Sequence, residues 1–239
     1  MPANSARLDR FISSKMAISQ KAVRPILAQG RVAVDGCVCR DRQQIINTFS
    51  QITLDGQILQ ANTPLYLMMN KPKGVVSATR DDQHQTVIDL LDHPERSKLH
   101  LVGRLDFNST GLLLLTNDSG WSQQLMKPDQ KVSKRYLVKV NNPLDQQTVD
   151  AFAAGMYFAY EDATTRPAGL NIINGYEAEV TLTEGRYHQI KRMFARCNNK
   201  VLALHRIAIG NLILDPSLSA GQSRELSAAE VKDITDQVI

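Results

Sequence analysis

The sequence predicts an α+β protein in two parts. A small α/β module covers residues 1–60, and a larger body over 61–239 carries a mixed or antiparallel sheet with flanking helices. Three observations carry this expectation. Apolar runs of strand length, bounded by Gly, Asp, Asn and Pro, alternate along the chain with stripes of helical period. The segment Gln60-Ala-Asn-Thr-Pro64 is polar and proline-ended, as a joint between folded parts would be. The formal charge of +4 also divides there. Residues 1–60 hold eight Lys or Arg against four Asp, so the whole excess lies on the first part and the remainder balances.

At 239 residues, with 43% hydrophobic and 22% charged residues, the chain is long enough for a proper core and ordinary in composition for a globular protein. No apolar run reaches the roughly 18 residues of a membrane helix, and the amino terminus lacks the apolar centre of a signal peptide. Cys37, Cys39 and Cys197 are odd in number and scattered, which supports neither a disulfide framework nor a zinc site. A reduced, cytoplasmic protein is expected. A basic module on a neutral body suggests a handle for a polyanion.

In the first part, Leu8, Phe11 and Ile12 fall at helical spacing. Ser19 is a candidate N-cap for a second helix with Ala22, Val23, Ile26 and Leu27 on its apolar side, ended by Gly30. Pro25 interrupts that helix, where an interior proline costs about 3 kcal/mol, so a kinked or short helix is expected. Arg31 to Gly36 reads as a strand entering an Asp-Gly turn, followed by a strand Cys37-Val38-Cys39 whose cysteines would pack. Ile52-Thr53-Leu54 with Asp55-Gly56 closes the module.

In the second part, Leu65 to Met69 reads as a strand running into the turn Asn70-Lys71-Pro72-Lys73-Gly74, whose Pro and Gly fix a sharp bend. Its two lysines are either solvated or in contact with a phosphate. Residues 75–98 predict a surface loop and a short helix around Val87 to Leu91; His84, His93 and His100 lack metal-ligand spacing. Leu112 to Leu115 reads as a strand buried on both faces. Before it lies the polar loop Gly103 to Gly111, holding Asp106 with Arg104 two residues earlier. A guanidinium beside a carboxylate favours its ionised form. In a cleft such a group is a candidate nucleophile or base, and on the surface it is a turn cap. Trp121 to Met126 predicts a helix, Lys134 to Val140 a strand with Tyr136, Val138 and Val140 on one face, and Asp145 to Ala154 a helix ended by Gly155. Glu177 to Leu182 is a strand, followed by a glycine turn and a helical stripe of Ile190, Met193, Phe194 and Cys197. Further strands and a helix starting near Ser227 finish the chain.

Two resemblances sharpen these readings. SQKAVRPILAQGRVAVDG, residues 19–36, resembles the S4 RNA-binding domain, which implies that Lys21, Arg24 and Arg31 face RNA and supply affinity without reading sequence. GRLDFNSTGLLLLTND, with NKPKG before it and KRY, EGRYHQIKRMF and the closing L-x-R-x-x-x-G and G-x-x-R-x-L-S after it, resembles the RsuA/RluB/RluE/RluF family of pseudouridine synthases almost from end to end. The resemblance implies Asp106 as the catalytic residue, Lys191 as its ionic partner beside Arg104, and Tyr136 and Ile190 as walls against the target base. His188 is read as structural. Isomerising a uridine gains and loses no group, so no cofactor and no metal are expected. The implied partner is ribosomal RNA, within a small-subunit assembly intermediate, bound by a monomer with no membrane attachment.

Other readings stay open. The wording around HQIKRMF and Gly120-Trp121-Ser122 favours small-subunit over large-subunit ribosomal RNA within the family. A non-catalytic assembly factor would have no need of Asp106. A glycosidase acting on nucleosides would require a second carboxylate, which the motifs do not offer.

Overall fold

The structure, a computed structural model, describes residues 5–236, and its contacts divide the chain into two units, residues 1–64 and 65–239. In the first, β1 (Ser5–Arg7) leads directly into α1 (Leu8–Met16), which buries Leu8 and Ile12 together with Asp9. The Arg7 guanidinium pairs with Asp9 and holds its carboxyl below the usual carboxylate range. Ser19 caps α2 (Gln20–Ala28), its hydroxyl accepting from the Ala22 amide. This helix runs unbroken through Pro25, contrary to a shortened one. The proline forfeits one backbone donor, while Val23 and Leu27, fully buried on either side of it, hold the segment to the core.

The chain continues through β2 (Val32–Val34), β3 (Cys37–Val38), β4 (Ile45–Asn47), β5 (Ile52–Leu54) and β6 (Gln57–Gln60). β4 pairs with β1, and the others form the antiparallel order β3-β2-β5-β6. Asp35 and Gly36 both take positive φ, the backbone a two-residue hairpin needs. β3 stops at Val38, and the expected packing of the two cysteines holds for one of them: Cys39, just beyond the strand, is half-buried against the core, while Cys37 is exposed.

The second unit runs β7 (Tyr66–Lys71), β8 (His100–Val102), β9 (Thr110–Thr116), α3 (Ser119–Met126), β10 (Lys134–Val140), α4 (Gln146–Ala154), β11 (Tyr157–Phe158), β12 (Ala163–Thr164), β13 (Gly169–Asn174), β14 (Glu177–Leu182), α5 (Gln189–Arg196), β15 (Val201–Ile209), β16 (Leu212–Ile213), β17 (Ser223–Glu225) and α6 (Ala228–Asp236). Nine strands form one mixed sheet in the order β13-β14-β10-β15-β9-β7-β17, with β16 on β15 and β8 on β9. Its neighbours are antiparallel except β9 and β15, which run parallel. Asp118 and Asp145 cap α3 and α4 through their side chains. No helix forms at 87–91. That segment is a turn closed by the Asp89 carboxylate on Thr86, and Val87, Ile88 and Leu91 are buried without a helical ladder.

β9 is the axis of this unit. Leu112 and Leu114 enter one core with Trp121, and Leu113 and Leu115 enter the opposite one with Val87 and Leu91. An uninterrupted apolar run is what a strand covered on both faces requires. Along one edge of β9, β15 pairs at its start and β8 at its end. Where the ladder divides, the Arg206 side chain donates from Nε to the Leu112 carbonyl at 2.7 Å. Gly111 sits against this crossing with φ of +101°; a Cβ there would collide with the Arg206 carbonyl and lie 2.7 Å from its nitrogen.

Candidate active site

The loop between β8 and β9 presents Asp106, and a buried cation holds that loop from beneath. Lys71, the last residue of β7, is fully buried. Its ammonium donates to the carbonyls of Pro72 at 3.0 Å, Asp106 at 3.2 Å and Ser109 at 3.0 Å, with that of Phe107 at 3.5 Å. Burial pushes its pKa down to about 8, opposed by the nearby Asp106 charge. The Gly74 amide donates to the Phe107 carbonyl at 2.9 Å. The Ser77 hydroxyl donates to the Leu105 carbonyl at 2.7 Å and accepts from its amide at 3.1 Å. The turn Asn70 to Gly74 and the residues after it therefore supply donors to a loop whose carbonyls have no strand to pair with. Lys71 is neither solvated nor free for a phosphate, as its place in a polar turn had suggested.

The Asp106 carboxylate receives α5, which lies 85 residues further along the chain. Lys191 Nζ stands 2.6 Å from Oδ2, and His188 Nε2 stands 3.4 Å from Oδ1. About a third of each of these side chains is exposed, so the group is paired yet open to a ligand. Arg104 departs from expectation. It lines the same cleft but is exposed, and it forms no ion pair with Asp106. Of the two cations that the resemblance implied, the one that meets Asp106 is Lys191, delivered on a helix.

Around this pair is a cleft of about 510 Å³. Tyr136 of β10 and Ile190 of α5, both buried, form walls with Leu105. Lys134 also lines it, donating to the Val132 carbonyl at 2.8 Å, and burial with the Arg206 charge pushes its pKa down to about 8. Among the described residues, the buried side-chain atoms without a hydrogen-bond partner are Ser109 Oγ and Arg206 Nη2, and both residues line this cleft. The cleft is apolar in its walls, cationic in its charges, and contains the carboxylate of Asp106.

The start of α5 has no side-chain cap, and His188 enters it with φ of +50°. Carboxylates hold the turn before it instead. Glu184 accepts from Gln189 at 2.6 Å, from Arg186 Nε at 3.2 Å and from the Arg166 amide at 2.9 Å. Glu161 pairs with Arg186 and Arg192, and Arg192 lies over the Phe158 ring at 3.7 Å. Phe158, Glu161 and Arg166, from the segment 156–168, thus brace the helix that carries Lys191. Sequence reasoning missed the buried role of Lys71, the part of Ser77 and the contact of His188 with Asp106. The signal for Lys71 was its place at the inner end of an apolar strand.

In the first unit, Lys21 and Arg24 are exposed one turn apart on α2. Arg31 is not a free cation: its Nε donates to Asp55 at 2.9 and 3.1 Å, and the pair is half-exposed. Among the described residues no three His, Cys, Asp or Glu side chains gather into a group that could hold a metal ion.

Comparison with known proteins bears on this arrangement. Residues 65–196 match the family described as RNA pseudouridylate synthase. The chain is 49% identical over 226 residues to the ribosomal small subunit pseudouridine synthase A of Pseudomonas aeruginosa, covering 94% of this chain and 98% of that protein. It is 39% identical over 229 residues to the protein of the same name from Escherichia coli K12, covering 95% and 99%. A crystal structure of a pseudouridylate synthase superposes with a TM-score of 0.70 at 36% identity, covering 95% of this chain and 99% of that one.

Proposed function

The chain belongs to the RNA pseudouridylate synthase family, and from that premise we propose that it converts one uridine of small-subunit ribosomal RNA to pseudouridine, with Asp106 as the catalyst and no cofactor. The observation that carries the assignment of Asp106 is its pairing with Lys191 at 2.6 Å inside a cleft walled by Tyr136 and Ile190. The reaction breaks the N1–C1′ bond, turns the uracil, and joins C5 to C1′; the proton leaving C5 is balanced by one gained at N1. A single carboxylate serves either attack on C1′ or removal of the C2′ proton, and the Lys191 ammonium holds it in place. Tyr136 offers a ring to the uracil, and Ile190 with Leu105 excludes water from its faces.

A uridine within folded RNA is extruded to reach such a cleft, at a cost of a few kcal/mol. Lys21 and Arg24 on the first unit supply phosphate contacts that offset it. We read the protein as a cytoplasmic monomer acting on an assembly intermediate, in keeping with a ribosomal RNA substrate. Among the described residues no helix is long and apolar enough to cross a membrane.

The test is pseudouridine mapping on both ribosomal RNAs from cells lacking the gene and complemented with wild type or Asp106→Asn. One modified site in small-subunit RNA, restored by wild type alone, is expected. Restoration only in large-subunit RNA would move the substrate. No gene-dependent site would favour a binding role in assembly, and restoration by the variant would remove Asp106 from the chemistry.

A further inference from the structure

Beside the cleft, one aromatic ring is left open to solvent. Tyr187 is 74% exposed, although it belongs to the turn that delivers Lys191 and His188 to Asp106. One face of its ring is covered by the His188 imidazole, with centroids 3.9 Å apart and planes at 19°. Neighbouring residues of an extended chain direct their side chains to opposite sides. Here the left-handed backbone at His188, φ +50°, accompanies two consecutive rings stacked in parallel. A non-glycine residue adopts that conformation at a cost.

The stack is rigid. The Tyr187 carbonyl accepts from Arg192 Nη1 at 3.2 Å, and Arg192 is itself fixed between Glu161 and the Phe158 ring. Gln189 Oε1 accepts from the Arg186 amide at 3.1 Å on the preceding side. No packing need accounts for a large and mostly exposed ring. Arg186 and Arg192 beside it are paired with Glu161 and Glu184, so what the ring offers a ligand is its open π-face.

We propose that the Tyr187–His188 stack is a platform for a nucleobase of the RNA next to the target uridine. Gly185, Arg186, His188 and Gln189 line the cleft but Tyr187 does not, so the base it meets is a neighbour rather than the reacting one. The layers run from the Asp106 carboxylate to His188, then to Tyr187, then to the RNA base. Stacking of this kind reads little sequence but fixes the strand's position relative to the carboxylate. The inference rests on the reading above that RNA is the substrate.

The experiment compares wild type, Tyr187→Leu and Tyr187→Phe on unmodified small-subunit ribosomal RNA transcript, and separately on a single-stranded RNA oligonucleotide containing 2-aminopurine. Tyr187→Leu is expected to raise KM about tenfold with a much smaller change in kcat, and Tyr187→Phe to behave as wild type. Wild type and Tyr187→Phe should quench the 2-aminopurine on binding, and Tyr187→Leu should not. An unchanged KM for Tyr187→Leu, or equal damage from Phe and Leu, overturns the platform. Should wild type form no pseudouridine in the transcript, the substrate reading fails; the quenching arm still decides the platform. Unchanged thermal midpoints are expected for both variants, because the ring is exposed.

Discussion

Two lysines do opposite work around Asp106. Lys191 meets the carboxylate directly, so Lys191→Met is expected to lower the rate of pseudouridine formation by at least about a hundredfold with the fold intact, as single-turnover assays would register. Lys71 meets the carbonyls of the same loop from within the core. Its folded pKa of about 8 lies below the ordinary lysine value of 10.5, so between these pH values the unfolded chain binds more protons than the folded one. Stability therefore rises with pH across that window, by at most about 3 kcal/mol from this group. Urea unfolding of wild type and Lys71→Met at pH 7.5 and 10 should show a smaller rise in the variant. Activity should move the other way, since a neutral amine has fewer donors for the carbonyls that hold Asp106.

At the level of elements, the crossing of β9 and β15 has the tightest tolerance. Gly111→Ala would force a Cβ into the backbone of Arg206 at a positive φ that other residues rarely adopt. A loss of more than about 3 kcal/mol is expected, with the urea midpoint falling accordingly. Asp145 is a simpler case. It accepts from the Thr148 amide and hydroxyl at the start of α4, and Asp145→Ala should cost about 1 kcal/mol without touching the cleft. α5 carries no such cap, and its orientation depends on Glu161 and Glu184 instead.

For the whole molecule, the net positive charge belongs to the first unit, and Asp106 to the second. The entire formal excess of +4 lies within residues 1–60. Binding of ribosomal RNA should therefore weaken steeply with salt, and Lys21→Ala with Arg24→Ala should reduce the slope of log K against log salt by about two. Arg31→Ala should change that slope less, because its guanidinium is already committed to Asp55.

Local regularities made most of the elements legible: the apolar run of β9, the alternation of β10, the Ser, Asp and Gly residues at helix ends, and the stripe of Ile190, Met193 and Phe194 on α5. The wording of a polar loop singled out Asp106 by resemblance, where its spacing alone left it between a catalyst and a turn cap. Two features were decided only in three dimensions. The resemblance named both Lys191 and Arg104 beside Asp106, and the packing of α5 brings Lys191 alone of the two to the carboxylate. Whether Lys71 is a surface charge or a buried clamp depended on the unpaired carbonyls of a distant loop. Sequence specifies what neighbours along the chain can do; partners tens of residues apart are chosen by the packing of the sheet and its helices.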